Sequence, residues 1–339
     1  MRKSVILITG ANGEIGHGLI SSLQERYQQN IVALDLKVID PEIRPHVKES
    51  IAGNILDKAL LDQINAEYQI SEIYHLAALL STRAEFSPVA AHDVNVGGTL
   101  NLLELAVQQA RSHGQPVKFF FPSSIAVYGI PSLKIKQQMD RVREDEYCFP
   151  ETMYGCNKLY CEGLGAYYSK HYQRLSDNSL PGLVDFRGMR FPGLISAVTV
   201  PSGGTSDFAP EMIHAAIRHH PYDCFVRPDT TIPFMTMPDA IRSILELMSA
   251  PKSNLTRQVY NITGWSASAE KFRVKMQSVY SDANITFAVN EKRQSIVDSW
   301  PADVDDSAAQ KDWGWQPEHH FQNAFDEYLL PGIKAHYEK

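Results

Sequence analysis

The feature that most constrains the fold is an apolar run that passes straight into a glycine-spaced turn near the start of the chain. Val5-Ile6-Leu7-Ile8-Thr9 is followed by Gly10-Ala11-Asn12-Gly13-Glu14-Ile15-Gly16, with further apolar residues at Leu19 and Leu23. A short, continuous apolar run fits a strand buried on both faces, and the spacing Ile15, Leu19, Leu23 fits one face of a helix. Glycines between them allow a tight turn, close approach of backbone to a pyrophosphate, and close packing of helix on strand. The phosphates would then rest on the helix N-terminus. The spacing is G-x-x-G-x-x-G rather than G-x-G-x-x-G, so the position between strand and helix gives the motif its weight.

The same alternation continues along the chain. Ile31–Leu36, Glu72–Leu76, Val117–Pro122, Leu183–Arg190 and Gln258–Ile262 read as strands, with helical patterns near 57–67, 95–112 and 154–173. Strands alternating with helices predict an α/β protein, a Rossmann-type doubly wound parallel sheet covered on both faces. Past residue 190 the texture changes: Pro and Gly cluster at Phe191–Gly204 and Pro221–Pro238, with short helices expected at 208–219 and 238–249. The expected division is a nucleotide-binding domain over 1–190 and a smaller, mainly substrate-binding lobe over 191–339, from which segments such as 236–263 return to the sheet. No internal repeat and no low-complexity stretch interrupts this plan.

Composition narrows the partners. With 339 residues, 44% of them hydrophobic, the chain can bury a substantial core. A net charge of −7 disfavours a polyanion, so no nucleic acid is expected. No apolar run approaches the ~20 residues of a membrane span, and the Val5–Thr9 run is too short for a signal-peptide core. Cys148, Cys156, Cys161 and Cys224 have neither C-x-x-C spacing nor a His at zinc-site distance, which suits a reducing, cytoplasmic setting. His219-His220 and His319-His320 lack acidic or thiol partners at ligand spacing, so no metal is expected.

Asp35 closes the second strand. A carboxylate there accepts hydrogen bonds from adenosine ribose hydroxyls and repels a 2′-phosphate, which favours NAD over NADP, although Lys37 lies close enough to soften that preference. Tyr154-Gly155-Cys156-Asn157-Lys158 opens a helical pattern, and positions i and i+4 share a helix face. A tyrosine with the ordinary pKa near ~10 is a poor base at neutral pH, whereas a neighbouring Lys⁺ and a cationic nicotinamide favour its phenolate. Tyr-x-x-x-Lys alone is common on amphipathic helices. Here it follows Ser123-Ser124-Ile125-Ala126-Val127-Tyr128-Gly129 at a strand end, where a hydroxyl faces the ligand crevice of a parallel sheet.

On these residues the chain resembles the extended short-chain dehydrogenase/reductases over nearly its whole length. Asn54-Ile55 after the third strand, His75-Leu76-Ala77-Ala78 ending the fourth, and Asn95-Val96-Gly97-Gly98-Thr99 opening a helix add to the likeness. The resemblance implies that Asn54 and Ile55 border the adenine and that Leu76, Ala77 and Ala78 line the ribose. Asn95 would prop the active-site helix, and Ser124, Tyr154 and Lys158 would form the catalytic set. It also places Gly10, Asn12, Gly13, Glu14, Ile15, Gly16, Asp35, Leu36, Ser123 and Phe191 at the cofactor. Asn54 stands where the family more often has Asp.

The C-terminal half looks like the epimerase-like, metal-free L-threonine 3-dehydrogenases of that family. The likeness runs through Arg190-Phe191-Pro192-Gly193-Leu194-Ile195-Ser196, Gly203-Gly204-Thr205-Ser206-Asp207, Thr236-Met237-Pro238-Asp239-Ala240, Ser299-Trp300-Pro301 and Asp312-Trp313-Gly314-Trp315. It implies NAD-dependent oxidation of the β-hydroxyl of L-threonine to 2-amino-3-oxobutyrate, with Tyr154 as base and Ser81, Ser124, Tyr154, Thr205 and Trp300 around the substrate. Trp313 and Trp315 read as core aromatics, and Trp300 as either packing or pocket wall. The alternative is an epimerase, dehydratase or reductase for a nucleotide sugar. Relatives of that kind usually carry Asn where Pro192-Gly193 falls. A non-catalytic NAD sensor is the third reading, and it would not be expected to keep Ser124, Tyr154 and Lys158. The family's usual dimer is set against a monomer by the charged stretch Lys134–Glu146, since dense charge disfavours an interface core.

Overall fold

The computed structural model describes every residue except Met1, Gln28, Gln29, Asn178, Ser179, Ser202 and Lys339. In chain order the elements begin with β1 (Lys3–Thr9), α1 (Glu14–Tyr27), β2 (Ile31–Asp35), β3 (Glu49–Ala52), α2 (Lys58–Glu67) and β4 (Tyr68–His75). Next come α3 (Ser81–Phe86), α4 (Pro88–His92), α5 (Gly98–His113) and β5 (Val117–Ser124). The short α6 (Leu133–Gln138) precedes α7 (Met153–Lys170), β6 (Val184–Phe191) and β7 (Gly193–Ile195). They are followed by α8 (Phe208–Ile217), β8 (Tyr222–Cys224), β9 (Thr231–Thr236), α9 (Met237–Ser249) and β10 (Val259–Asn261). The remainder are β11 (Trp265–Ser268), α10 (Ala269–Val279), β12 (Ile285–Phe287), α11 (Glu291–Asp298), α12 (Ser307–Trp313), α13 (Phe321–Asn323) and α14 (Leu330–Tyr337).

The apolar runs pair as the doubly wound pattern requires. The seven-stranded sheet has the order β10-β6-β5-β4-β1-β2-β3. β1 pairs in parallel with β2 and with β4, β2 with β3, and β4 with β5. The chain winds outward from β1 to β3 and then returns to the other side of β1, so strand order reverses between β1 and β4. Ligands bind at such a switch point, outside the carboxyl ends of the strands. Thr9, Asp35, His75 and Ser124 are the last residues of β1, β2, β4 and β5 and therefore share that edge.

The chain forms two compact units. The first comprises Met1–Ser123, Cys156–Met189 and Ile241–Val259; the second comprises Ser124–Gly155, Arg190–Ala240 and Tyr260–Lys339. In the first unit Leu7, Val32, Leu34, Ile73, Leu102, Phe119 and Phe121 are buried. Phe186 stacks on Phe119 and Phe121 with ring centroids 5.9 and 5.8 Å apart. Asp57 caps α2, and Gly114, at φ +74°, closes α5. The second unit holds a three-stranded sheet, β11-β9-β7, and a two-stranded one, β12-β8. Phe208, Phe234, Phe272 and Phe325 are fully buried there.

Two features differ from the sequence reading. Ser124–Gly155, assigned with the first domain by sequence, groups with the second unit, so Ser124 and Tyr154 belong to one unit and Lys158 to the other. The charged stretch Lys134–Glu146, read from sequence only as a run of charge, makes contacts within the chain. Arg141 pairs with Asp303 at 3.1 Å, Arg143 with Glu146 at 2.9 Å, and Glu144 Oε1 accepts from Asn261 N at 3.1 Å. Among the described residues no helix is long and apolar enough to cross a membrane.

Candidate active site

Within the first unit the glycine turn is shaped by steric need. Gly10 has φ +70°, and a Cβ there would lie 2.5 Å from Ala77 N, so the turn can pass beside the end of β4 only as glycine. Gly16 lies so close to the Ala11 carbonyl that a Cβ has no room, which lets α1 pack against the turn. Gly13 differs: it is exposed, and a Cβ would meet only the Gly10 carbonyl, at 3.2 Å. Glu14 and Ile15 open α1, so the turn leads into a helix N-terminus. Asn12 ties this turn to the end of β2: its backbone N donates to Asp35 Oδ2 at 3.0 Å and its Nδ2 to the Val38 carbonyl at 3.0 Å. Lys37 N donates to Asp35 Oδ1 at 3.3 Å, so neighbouring amides orient the carboxylate. Leu36 beside it is 72% exposed.

These residues fit a dinucleotide. Gly13 open to close approach, the helix amides at α1 and the oriented carboxylate of Asp35 would suit a pyrophosphate and a ribose. The next strand ends extend the same edge. Asn54 Oδ1 accepts from Leu56 N at 3.0 Å, and Ile55 is buried with its side chain against Gly98. Leu76 N donates to the Thr9 carbonyl at 3.0 Å, which fixes Leu76, Ala77 and Ala78 beside the glycine turn. Asn95 sits in a π turn, Asp93–Gly97, that leads into α5. Its side chain holds the chain after β4 through Leu79 N at 2.8 Å and the Leu79 carbonyl at 3.0 Å. Its link to α7 is through its carbonyl, which accepts from Cys161 Sγ at 3.3 Å.

Lys158 is buried on α7. Its Nζ donates to the Pro122 carbonyl at 2.6 Å and lies 4.6 Å from the centre of the Phe121 ring. Burial pushes its pKa down to about 8, against the opposing pull of Cys161 and Glu162. Ser123 Oγ donates to Glu162 Oε1 at 2.5 Å. Ser81 is the first residue of α3.

In the second unit Ser124 caps the short turn Ile125–Val127, its Oγ accepting from Ala126 N at 3.1 Å. Gly155 lies against the Ala126 carbonyl, too close for any Cβ, and Gly155 N donates to Thr152 Oγ1 at 3.0 Å. The first turn of α7, with the half-buried Tyr154, is thus pressed directly onto the Ser124 turn. Desolvation raises the pKa of Tyr154 above that of an ordinary tyrosine. Phe191 is buried at the end of β6. Thr205 is buried in the loop before α8, where Gly204 N donates to Asp207 Oδ2 at 2.6 Å and Arg293 Nη2 donates to the Gly204 carbonyl at 2.6 Å. Trp300 is 5% exposed and follows α11.

The NAD dependent epimerase/dehydratase family matches residues 6–263. The chain belongs to that family. It is 36% identical over 317 residues to the mitochondrial L-threonine 3-dehydrogenase of Bos taurus, covering 92% of this chain and 78% of the relative. A monomeric L-threonine 3-dehydrogenase from a metagenome database superposes with a TM-score of 0.83 at 37% identity, covering 98% of this chain and all of that one. The L-threonine dehydrogenase of Clostridium difficile gives 0.85 at 34% identity, with 99% of both chains covered.

Two buried groups in this epimerase/dehydratase-family chain escaped the sequence reading. His75 bonds Thr9 Oγ1 through Nδ1 at 3.0 Å and Thr99 Oγ1 through Nε2 at 2.9 Å. Burial, then the charge of Lys158, lowers its pKa to about 3. Glu162 follows Lys158 by four positions on α7, so the i, i+4 rule that paired Tyr154 with Lys158 could have reached it. Among the described residues no group of three or more His, Cys, Asp or Glu side chains is arranged to hold a metal.

Proposed function

We propose that the chain oxidises the β-hydroxyl of L-threonine with NAD⁺, giving 2-amino-3-oxobutyrate. The observation that carries the chemistry is the first turn of α7: Tyr154 pressed onto the Ser124 turn through Gly155, with the buried Lys158 one helical turn further on. The substrate reading draws its support from relatives of that name at 34–37% identity over nearly the whole chain. Bound NAD⁺ supplies the hydride acceptor for the hydrogen on the substrate's β-carbon.

The chain's own residues do the rest. The backbone amides after Gly10, with Gly13 open to close approach, hold the pyrophosphate. Asp35 takes the adenosine ribose, Leu36, Asn54 and Ile55 border the adenine, and Leu76, Ala77 and Ala78 line the ribose. Ser123 and Phe191 flank the nicotinamide end. Ser124 already accepts a bond from Ala126 N, which leaves its own hydrogen to donate to the substrate oxygen. Tyr154, as phenolate, takes the hydroxyl proton. Burial raises its pKa, so the phenolate needs nearby positive charge. Lys158 supplies part of that charge and holds the nicotinamide ribose. Ser81 and Thr205 receive the substrate's ammonium and carboxylate, and Trp300 closes the pocket.

The test is NADH formation by purified protein with L-threonine, beside D-threonine, L-serine and UDP-glucose. NADH growth with L-threonine, and its loss in Tyr154→Phe, support the reading. Retention of more than about a tenth of wild-type turnover in that variant contradicts the general-base role. A nucleotide-sugar reaction is the second reading, favoured by the family's description. Thermal stabilisation by UDP-glucose but not by L-threonine with NADH would select it.

A further inference from the structure

The segment between Gly129 and Tyr147 grips the chain that carries Trp300. Ile130 N donates to the Ser299 carbonyl at 2.7 Å. Val142 forms a parallel bridge with Val304: its N donates to the Asp303 carbonyl at 3.2 Å, and its carbonyl accepts from Asp305 N at 2.9 Å. Between these two grips lies α6, started by Ser132, whose Oγ accepts from Ile135 N at 3.3 Å. Its one buried residue is a lysine. Lys136 is 6% exposed, and its Nζ donates to the Val297 carbonyl at 3.0 Å.

That carbonyl belongs to the last turn of α11, where the helix leaves its final C=O groups without internal partners and where a cation is favoured by the helix dipole. The turn is compact. Ser299 N bonds the Ile296 carbonyl at 3.2 Å, Ser299 Oγ bonds the same carbonyl at 2.8 Å, and Trp300 N bonds the Val297 carbonyl at 3.2 Å. Val297 O therefore serves Lys136 and Trp300 together. On the other side of the turn, Arg227 holds Asp298 through both carboxylate oxygens, at 2.9 and 2.8 Å. A buried ammonium is costly to place, and burial pushes Lys136 down to about 8, with Asp298 and Asp229 pulling it back up and Arg227 opposing them. A lysine kept there against its desolvation has a positional task.

We propose that Lys136 is a positioning residue for the substrate wall: its ammonium fixes the Val297 carbonyl and so sets where Trp300 stands. The inference rests on the reading of Trp300 as the residue that closes the pocket over L-threonine. Lys136→Met keeps the stem and deletes the donor, while Lys134→Met removes the same charge from an exposed position on the same helix. Lys136→Met raises the KM for L-threonine roughly tenfold, the scale of one lost hydrogen bond to a charged group. The KM for NAD⁺ and kcat stay within about twofold, and Lys134→Met matches wild type. Hydrogen exchange read on the same variants speeds up at Ser299 and Trp300 in Lys136→Met alone.

Each outcome bears on a different link. Unchanged exchange at Ser299 and Trp300 in folded Lys136→Met overturns the positioning role. Faster exchange with an unchanged KM for L-threonine also overturns it, because the turn then moves without consequence for substrate. Absence of L-threonine turnover in the wild type defeats the substrate reading instead, and the exchange experiment still decides the grip. Should Lys136→Met fail to fold, Lys136→Arg, which keeps a donor and charge, gives the milder test. It is expected to retain the wild-type exchange pattern at Trp300, and faster exchange there in a folded Lys136→Arg protein with normal KM would overturn the role.

Discussion

Ser123 Oγ donates to Glu162 Oε1 at 2.5 Å, with both side chains buried and Glu162 one helical turn beyond Lys158. The carboxylate thus does two things: it orients the hydroxyl beside Ser124, and it favours the ammonium form of Lys158. Lys158 already stands near 8 because burial outweighs that help. Glu162→Gln keeps an oxygen to accept from Ser123 but removes the charge. The ammonium of Lys158 then loses its proton at lower pH, and with it, in the proposed mechanism, the support for the Tyr154 phenolate. The alkaline limb of the kcat/KM profile is expected to move to lower pH, with the rate at neutral pH affected less. An unmoved alkaline limb in Glu162→Gln would show that this charge does not reach the reaction.

His75 makes stability fall in acid. It bridges Thr9 and Thr99 as a neutral ring, and its pKa in the folded chain is about 3. The unfolded chain takes up this proton below about pH 6.5, so from there down to about pH 3 the unfolded state binds more protons and stability drops. The slope from this one group is at most about 1.4 kcal/mol per pH unit. His75→Gln retains a donor and an acceptor for the two threonines and cannot titrate. Urea unfolding across that window is expected to show a shallower decline in the variant. Equal slopes in the two proteins would refute a neutral, buried His75.

The glycines of the first turn separate folding from binding. Gly10→Ala forces a left-handed Ala, roughly 1–2 kcal/mol by itself, and drives its Cβ into Ala77 N. Thermal stability is expected to drop in the absence of any ligand. Gly13→Ala meets one carbonyl at 3.2 Å and no other atom nearby. Its melting temperature is expected to stay near wild type, while NAD⁺ affinity by calorimetry falls at least about tenfold, because in the proposed site the methyl would occupy the approach to the pyrophosphate. Normal NAD⁺ affinity in Gly13→Ala would place the phosphates elsewhere.

The sequence made the sheet legible because β1, β2 and the Val117–Pro122 part of β5 are largely buried and read as mainly apolar runs, while β4 and β6 intersperse polar residues among buried apolar ones. β3, with the burial pattern of an edge, and the three-residue β7, β8 and β12 leave too little periodicity to detect. Tyr154 and Lys158 were visible since i, i+4 spacing on a helix is a local rule. The task of Asn95 was less visible, as its side chain turns to Leu79, a contact between segments sixteen positions apart in sequence. The same reason hid the stretch Lys134–Glu146. Read alone it is a run of charges, yet several partners of this stretch and of Ile130 before it, among them Val297, Ser299, Asp303 and Asn261, lie more than a hundred residues away.

Arg187 tests the packing of α9 on the sheet. From the buried face of β6 its Nη1 donates to the carbonyls of Leu247 at 2.6 Å and Met248 at 3.2 Å at the end of α9 and of Ala250 at 2.8 Å just after it. Its Nη2 donates to Asp185 Oδ2 at 2.7 Å, two residues back on the same strand face. Arg187→Met leaves the buried Asp185 carboxylate without its cation and removes one donor from each of three carbonyls near the helix end, Met248 O keeping Lys118 Nζ at 2.8 Å. Removing one partner of a buried pair costs about 3–5 kcal/mol, and a loss of that size in urea unfolding is expected here. Replacing both, as Asp185→Leu with Arg187→Met, removes the stranded charge, and part of the stability is expected to return. A double variant no more stable than Arg187→Met would mean that the carbonyls of α9, not Asp185, set the cost.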